Sequence, residues 1–293
     1  MKTGYVALIG RPNAGKSTLL NHLVGQKISI TSRRPQTTRH RIHGIKTNEN
    51  GQIIYVDTPG LHGDEKRAMN RYLNRAANTA LLGVDLVVWL VEPLAWHPEN
   101  DLVLEKLKNV QCPVILAVNK VDLCDDKAQL LPFLEESAKR FPFAEIVPLS
   151  ALKNINLQAL EQSILALLPE GEPIYPQDQI TDRPERFFAA EIIREKLIRS
   201  LGQEVPHALT VEIEKYKLEK GVVRIHAIIW VEREGQKKIV IGKQGEVLKK
   251  VGQQAREDLE KMVERKIYLN LWVKVKRGWS DSERALLSLG YAD

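Results

Sequence analysis

The chain has 293 residues, of which 43% are apolar and 27% charged, and a formal net charge of +6. This length favours two domains, and this balance is that of an ordinary soluble protein and not of a disordered chain. Its two cysteines, Cys112 and Cys124, are too few for a disulfide framework and lack metal-ligand spacing, so a reducing cytoplasmic setting is expected.

The first half alternates short β-branched runs with amphipathic segments. GYVALIG, QIIYVDT, DLVVWLV, PVILAVN and EIVPLS are predicted strands, a pattern that implies a mostly parallel sheet covered by helices. RHRIHGIKT, the turn NENG and QIIYVDT predict a hairpin, and so one antiparallel strand. No secretory leader is read at the start. The most apolar stretch, LLGVDLVVWLVEPLAW, is interrupted by Asp85 and Glu92 and is not expected to span a membrane.

Periodicity stops at a proline-rich stretch, residues 169–183, expected as a linker between a domain over 1–168 and a second over 184–293. Beyond it come a predicted helix, RFFAAEIIREKLIRSLG, and two strands, ALTVEIEKYKLE and VVRIHAIIWVER, joined at Lys220–Gly221. The apolar stretch KKIVI then runs into a glycine turn, the helix EVLKKVGQQAREDLEKMVERK and the strand IYLNLWVKVKR. Helix, two strands, turn, helix and strand predict a compact α+β unit.

Basic charge is clustered. Five basic residues and no acid lie between Arg33 and Lys46, six basic and two acidic between Arg233 and Lys250, and five basic and no acid from Arg265 to Arg277. A single charge run is as readily a solvated face as a binding one, but two runs flanking a glycine turn favour an anionic partner.

GRPNAGKS, Gly10 to Ser17, stands between a strand and a helix and is a complete phosphate loop. Gly10 and Gly15 let the backbone wrap phosphates, Lys16 supplies a cation to the outer ones, and Ser17 offers a hydroxyl to Mg²⁺. Asn13, Ala14 and Thr18 belong to the same cradle. NKVD, Asn119 to Asp122, closes a later strand. The Asp122 carboxylate can accept both the N1–H and the exocyclic amine of guanine, which adenine does not offer. Asn119 suits the N7 side and Lys120 the ring face, while SAL places Ser150 and the Ala151 N–H for guanine O6. DTPG supplies Asp57 for Mg²⁺ and the Gly60 N–H for the γ-phosphate. Either Thr37 or Thr38 in RRPQTTRHR is the second metal ligand.

IGKQGE is too short for a second phosphate loop and has no Ser or Thr after its lysine. A G-x-x-G alone is usually only a turn. Between strands, a long helix and a further strand it matches the backbone clamp of a KH domain. Gly242 and Gly245 would allow close approach, with Lys243, Gln244, Lys249, Lys250 and Lys276 toward phosphate. Leu248, Val251, Ala255, Leu259 and Met262 repeat at three or four and are read as core, as is Trp279.

Five nucleotide motifs in order resemble the translation-factor class of GTPases. With the second glycine turn, the whole chain resembles the Era family of bacterial ribosome-assembly GTPases. The resemblance implies an α/β fold: a P-loop GTPase domain with a mostly parallel sheet, then a smaller α+β type II KH domain. It selects Thr38 over Thr37 and places Lys16, Thr38 and Gly60 at the γ-phosphate. It implies GTP and GDP with Mg²⁺, and binding near the 3′ end of small-subunit ribosomal RNA on the 30S subunit. A monomer is expected, and peripheral contact with the cytoplasmic membrane is implied by the family only. Leu61 stands where many regulatory GTPases carry a water-positioning glutamine, so that device must come from elsewhere. Asn13 either shapes the loop or, as in similar GTPases, helps hold a K⁺ ion. Residues 33–41 and the polar stretch after Leu61 are expected to reorder with the γ-phosphate. The competing reading is a signalling or membrane-associated GTPase whose second domain docks a protein or anionic lipid.

Overall fold

Apolar runs buried on both faces form the centre of the first unit. In the computed structural model, which describes residues 1–32, 34, 36–60, 67–202 and 205–291, six strands make one sheet. They are Lys2–Ile9 (β1), Ile42–Asn48 (β2), Gly51–Asp57 (β3), Leu86–Val91 (β4), Val114–Val118 (β5) and Glu145–Pro148 (β6), in the order β2-β3-β1-β4-β5-β6. Every pairing is parallel except β2 with β3, the expected hairpin. Every residue of β4 and β5 is buried, as central parallel strands require. Helices Lys16–Val24 (α1), Ala68–Thr79 (α2), Pro98–Leu107 (α3), Leu130–Ala138 (α4) and Leu157–Leu167 (α5) alternate with the strands. Trp89 on β4 is fully buried against Trp96 and Phe143, with ring centroids 5.4 and 6.0 Å away, and Val103 and Leu107 of α3 join the same cluster.

This unit continues to Asp182, and the second begins at Arg183. The proline-rich stretch is held along the hairpin. Ile45 N–H donates to Ile180 O, and the His43 N–H donates to the Asp182 carboxylate. The buried Gln52 side chain accepts from the N–H groups of Ile174 and Tyr175 and donates to Tyr175 O and the Thr47 hydroxyl. An amide so placed uses both ends to satisfy irregular backbone that would otherwise go unpaired.

The second unit contains Glu185–Ser200 (α6), Leu209–Glu219 (β7), Val222–Val231 (β8), Glu234–Ile241 (α7), Glu246–Val263 (α8), Lys266–Val275 (β9) and Glu283–Ser288 (α9). Its sheet runs β7-β8-β9, with β7 antiparallel and β9 parallel to β8. Helix residues Ile193, Leu197, Val240, Val251, Ala255 and Leu259 pack on Val211, Ile225, Ala227 and Ile229 of the sheet. Trp279 is fully buried and stacks on Tyr291 at 6.2 Å, so it is core, as expected.

One element differs from the reading of the sequence. The apolar stretch before the glycine turn is a helix, α7, so the order is helix, strand, strand, helix, helix, strand. Three β-branched residues, Ile239–Val240–Ile241, disguise it. Its start is fixed by Gln236, whose Oε1 accepts the N–H groups of Glu232 and Arg233, and Val240 is its buried contact.

Candidate nucleotide site and nucleic-acid groove

The loop after β1 takes its shape from residues with few alternatives. Gly10 (φ 147°) and Gly15 (φ 104°) are in backbone conformations that favour glycine. A Cβ on Gly15 would stand 2.1 Å from Asn119 Nδ2 and one on Gly10 2.5 Å from Leu90 O. Asn13 also has a positive φ, 65°, at an exposed position, while Ala14 is buried and Thr18 half-buried on α1. Lys16 is buried and donates to Gly10 O and Arg11 O, both at 2.9 Å. Burial pushes its ammonium down to about 8, and the neighbouring Asp57 works in the opposite direction.

Ser17, Thr38 and Asp57 meet in one cluster. The Ser17 hydroxyl donates to Asp57 Oδ2 at 2.8 Å and lies 2.8 Å from Thr38 Oγ1. The Thr37 hydroxyl is turned to Arg34 O. Burial pushes the Asp57 carboxyl up; Lys16 and the Ser17 and Ser29 hydroxyls counter it. Among the described residues its Oδ1 is buried without a hydrogen-bond partner. Two hydroxyls and a carboxylate with an unused oxygen are the hard donor set of a Mg²⁺ site, so these residues fit the ion. Ser29 was missed in the sequence, and its donation to Asp57 Oδ2 at 2.9 Å is arranged by Asn21, which takes the N–H groups of Ile28 and Ser29. Gly60 lies against the phosphate loop: a Cβ there would be 2.8 Å from Pro12 N. Leu61 and the polar stretch after it, with Arg33, lie outside the described residues.

The base side forms at the ends of β5 and β6. Asn119 donates from Nδ2 to Ala14 O at 2.8 Å and accepts the Ala151 N–H at 2.9 Å, tying the phosphate loop to the SAL loop. Ser150 is buried and its hydroxyl receives the Lys153 N–H. Among the described residues Asp122 Oδ1 is buried without a hydrogen-bond partner, which leaves it as an acceptor for an incoming group.

Glu92, at the end of β4, was also missed. It accepts Lys120 Nζ at 2.9 Å and Arg11 Nη2 at 3.3 Å, linking the base loop to the phosphate loop. Burial alone would raise its carboxyl, but Lys120 and Arg11 hold it below the usual carboxylate range. Replacing it as Glu92→Ala should weaken GTP binding about tenfold, through loss of two charge-assisted hydrogen bonds in a partly solvated setting. Turnover of bound GTP should hold, so KM rises while kcat stays, and unchanged KM would contradict this role.

In the second unit the G-x-x-G turn joins α7 to α8. Gly242 (φ 77°) and Gly245 (φ 80°) bracket exposed Lys243 and Gln244. A Cβ on Gly242 would be 2.5 Å from the Val247 side chain, whereas Gly245 faces open space. That space opens into a groove of about 600 Å³ between α8 and β9. Gly245, Leu248, Lys249, Gly252, Gln253 and Arg256 form one wall, and residues Ile267 to Leu269 with Leu271 the other. Leu248, expected as core, serves both core and groove. Lys250 is exposed but does not line it, being turned about 100° from Lys249 around the helix. Lys276 is also away from the groove: its Nζ is 5.7 Å from the Trp230 ring, on the face of the sheet opposite α6, α7 and α8, and 3.2 Å from Ser288 Oγ at the end of α9.

A phosphate loop, a cluster of two hydroxyls with the Asp57 carboxylate, and the Asp122 carboxylate on one unit, with a G-x-x-G groove on the other, are the arrangement of a P-loop GTPase joined to a KH domain. Comparison with known families agrees. A model described as 50S ribosome-binding GTPase matches residues 5–120, and one described as KH domain matches residues 204–280. Among curated relatives, GTPase Era of Marinobacter nauticus is 59% identical over all of this chain and 96% of its own length. GTPase Era of Pseudomonas aeruginosa is 56% identical with the same coverage. Two solved structures superpose with TM-scores of 0.95 at 40% identity, each covered in full: a single-residue variant of Aquifex aeolicus Era bound to GDP·AlF4⁻, and Era in complex with MgGDPNP and nucleotides 1506–1542 of 16S ribosomal RNA. The chain belongs to the Era family of GTPases.

Proposed function

We propose that this GTPase is a nucleotide-controlled clamp on the 3′ region of 16S ribosomal RNA that assists assembly of the small ribosomal subunit. The observation that carries the reading is the groove: two positive-φ glycines, exposed Lys243 and Gln244 between them, and Lys249 and Arg256 on one wall. Single-stranded RNA is recognised by such a turn through its sugar–phosphate backbone, with splayed bases in the adjoining groove. The full-length likeness to an Era captured with 16S nucleotides supports RNA of that kind. That likeness spans the whole chain, whereas the match to a 50S ribosome-binding GTPase covers only residues 5–120.

In the nucleotide site, Lys16 and the loop N–H groups hold the phosphates, while Asp122 selects guanine. Ser17, Thr38 and Asp57 would hold Mg²⁺, which when bound neutralises charge on the β- and γ-phosphates. Gly60, packed on Pro12, keeps its N–H close to the loop where the γ-phosphate would lie. We assign K⁺ to the exposed Asn13, so exchanging K⁺ for Na⁺ should slow turnover, and equal rates in the two salts would remove the ion from the scheme.

Filter binding of a short single-stranded RNA to the full chain tests the RNA reading. Affinity should fall steeply between low and physiological salt, as counterion release requires. Salt-independent binding would contradict a clamp on the phosphate backbone, and binding to anionic vesicles in place of RNA would favour the membrane reading. No helix among the described residues is long and apolar enough to cross a membrane.

A further inference from the structure

The KH sheet has a second face, and its chemistry is not that of a merely solvated surface. Alternation along β8 and β9 sends Ile225, Ala227, Ile229 and Val273 to the helices and Arg224, Trp230, Tyr268, Trp272 and Lys274 to the other side. Trp272 is 53% exposed and Tyr268 48% exposed. Cations stand beside the rings: the Arg224 guanidinium is 5.1 Å from the Tyr268 centroid, and Lys274 and Lys276 are 5.9 and 5.7 Å from that of Trp230. The register places them so, since Arg224 lies opposite Tyr268 and Trp230 opposite Lys274.

The acids of this face are already occupied. Glu212 accepts the Trp230 indole N–H, Glu214 pairs with Lys274, and Glu219 is shared by Lys215 and Arg224. Arg224 and Lys274 are partners in those pairs, so phosphate would compete with Glu219 and Glu214 for them, while Lys276 adds a further cation beside Trp230; cations and ring surfaces together are complementary to unstacked bases on a phosphate chain. It is also continuous with the groove. Strand β9 is the sheet edge, and Tyr268 lines the groove while meeting Arg224 on the far face. A strand leaving the groove over β9 reaches Tyr268 first and Trp272 about 13 Å further along.

We infer that this face is a second RNA platform, on which bases of the strand held in the groove continue onto Tyr268 and Trp272, with Arg224 and Lys274 at its phosphates. The inference rests on the groove being an RNA site. A single strand is the occupant because ring stacking needs bases that are free of a duplex.

The test uses the full chain and an RNA of nucleotides 1506–1542 of 16S. Trp272→Ala should weaken binding about tenfold or more, in line with the measured worth of one stacked base. Trp272→Phe should restore most of that loss, which a general defect in folding would not allow. Photo-crosslinking with 4-thiouridine in the RNA should label the β9 peptide in the wild type and lose that label in Trp272→Ala. Unchanged affinity in both Trp272→Ala and Tyr268→Ala would overturn the platform. Lys243→Asp separates the two readings: if it leaves RNA affinity intact, the groove reading fails, whatever Trp272 does.

Discussion

Asp122→Asn is expected to weaken GTP binding about a thousandfold and to open the site to xanthine nucleotides. Among the described residues Asp122 Oδ1 is buried without a hydrogen-bond partner, and on the proposed reading the carboxylate accepts two hydrogens from one base edge. Two charge-assisted hydrogen bonds at about 2 kcal/mol each give about 4 kcal/mol, which corresponds to that factor. The substituted amide would keep one acceptor and turn an N–H toward the guanine amine, donor against donor. Xanthine carries a carbonyl there, which the same N–H can serve. Competition between GTP and xanthosine triphosphate for the Asp122→Asn chain measures the exchange. Retained preference for GTP would show that base selection lies elsewhere.

The second large effect is expected at the glycine turn of the KH domain. Lys243→Asp with Gln244→Asp should lower affinity for single-stranded RNA at least about a hundredfold, while GTP turnover in the absence of RNA stays as it was. Both side chains are exposed, so neither change disturbs the core. The pair removes one cation and places two carboxylates where phosphate oxygens must approach, and both terms act in the same direction. The dependence of affinity on salt should also become shallower, by about the slope of one phosphate contact. A wild-type affinity in the doubly substituted chain would remove this turn from the RNA site.

Much of the nucleotide site was legible because its chemistry is local. Strand, glycine loop and helix occur within the first 24 residues, and NKVD and DTPG sit at strand ends that the apolar runs already located. The resemblance favoured Thr38, and the structure brings its hydroxyl to Ser17 while Thr37 turns to Arg34 O. Ser29 and Glu92 were not legible, since each acts across distances the sequence does not display. Ser29 reaches Asp57 from 28 residues away through a backbone held by Asn21, and Glu92, which in the sequence is only a charged break in an apolar stretch, joins two loops.

The KH half shows a different limit. Helix α7 was hidden by its β-branched run, where tertiary contacts through Val240 outweighed local preference. Lys276 was expected at the groove because its charge run flanks the glycine turn. Where the chain leaves β9, its ammonium lies beside Trp230 and Ser288 on the opposite side of the sheet. Charge in a run reports composition, and only the strand's geometry assigns it to a face. The groove itself follows from α8 lying beside an edge strand, which the order of elements implied.

A clamp that opens and closes with its nucleotide must hold RNA differently in its two loaded states, and that difference can be measured directly. The affinity of the full chain for nucleotides 1506–1542 of 16S RNA should be determined with a non-hydrolysable GTP analogue and with GDP, at one fixed salt concentration. The account requires at least about tenfold tighter binding in the GTP-like state, a coupling of about 1.4 kcal/mol. Equal affinity in the two states would contradict it, leaving an RNA-binding domain and a GTPase that share a chain without controlling one another.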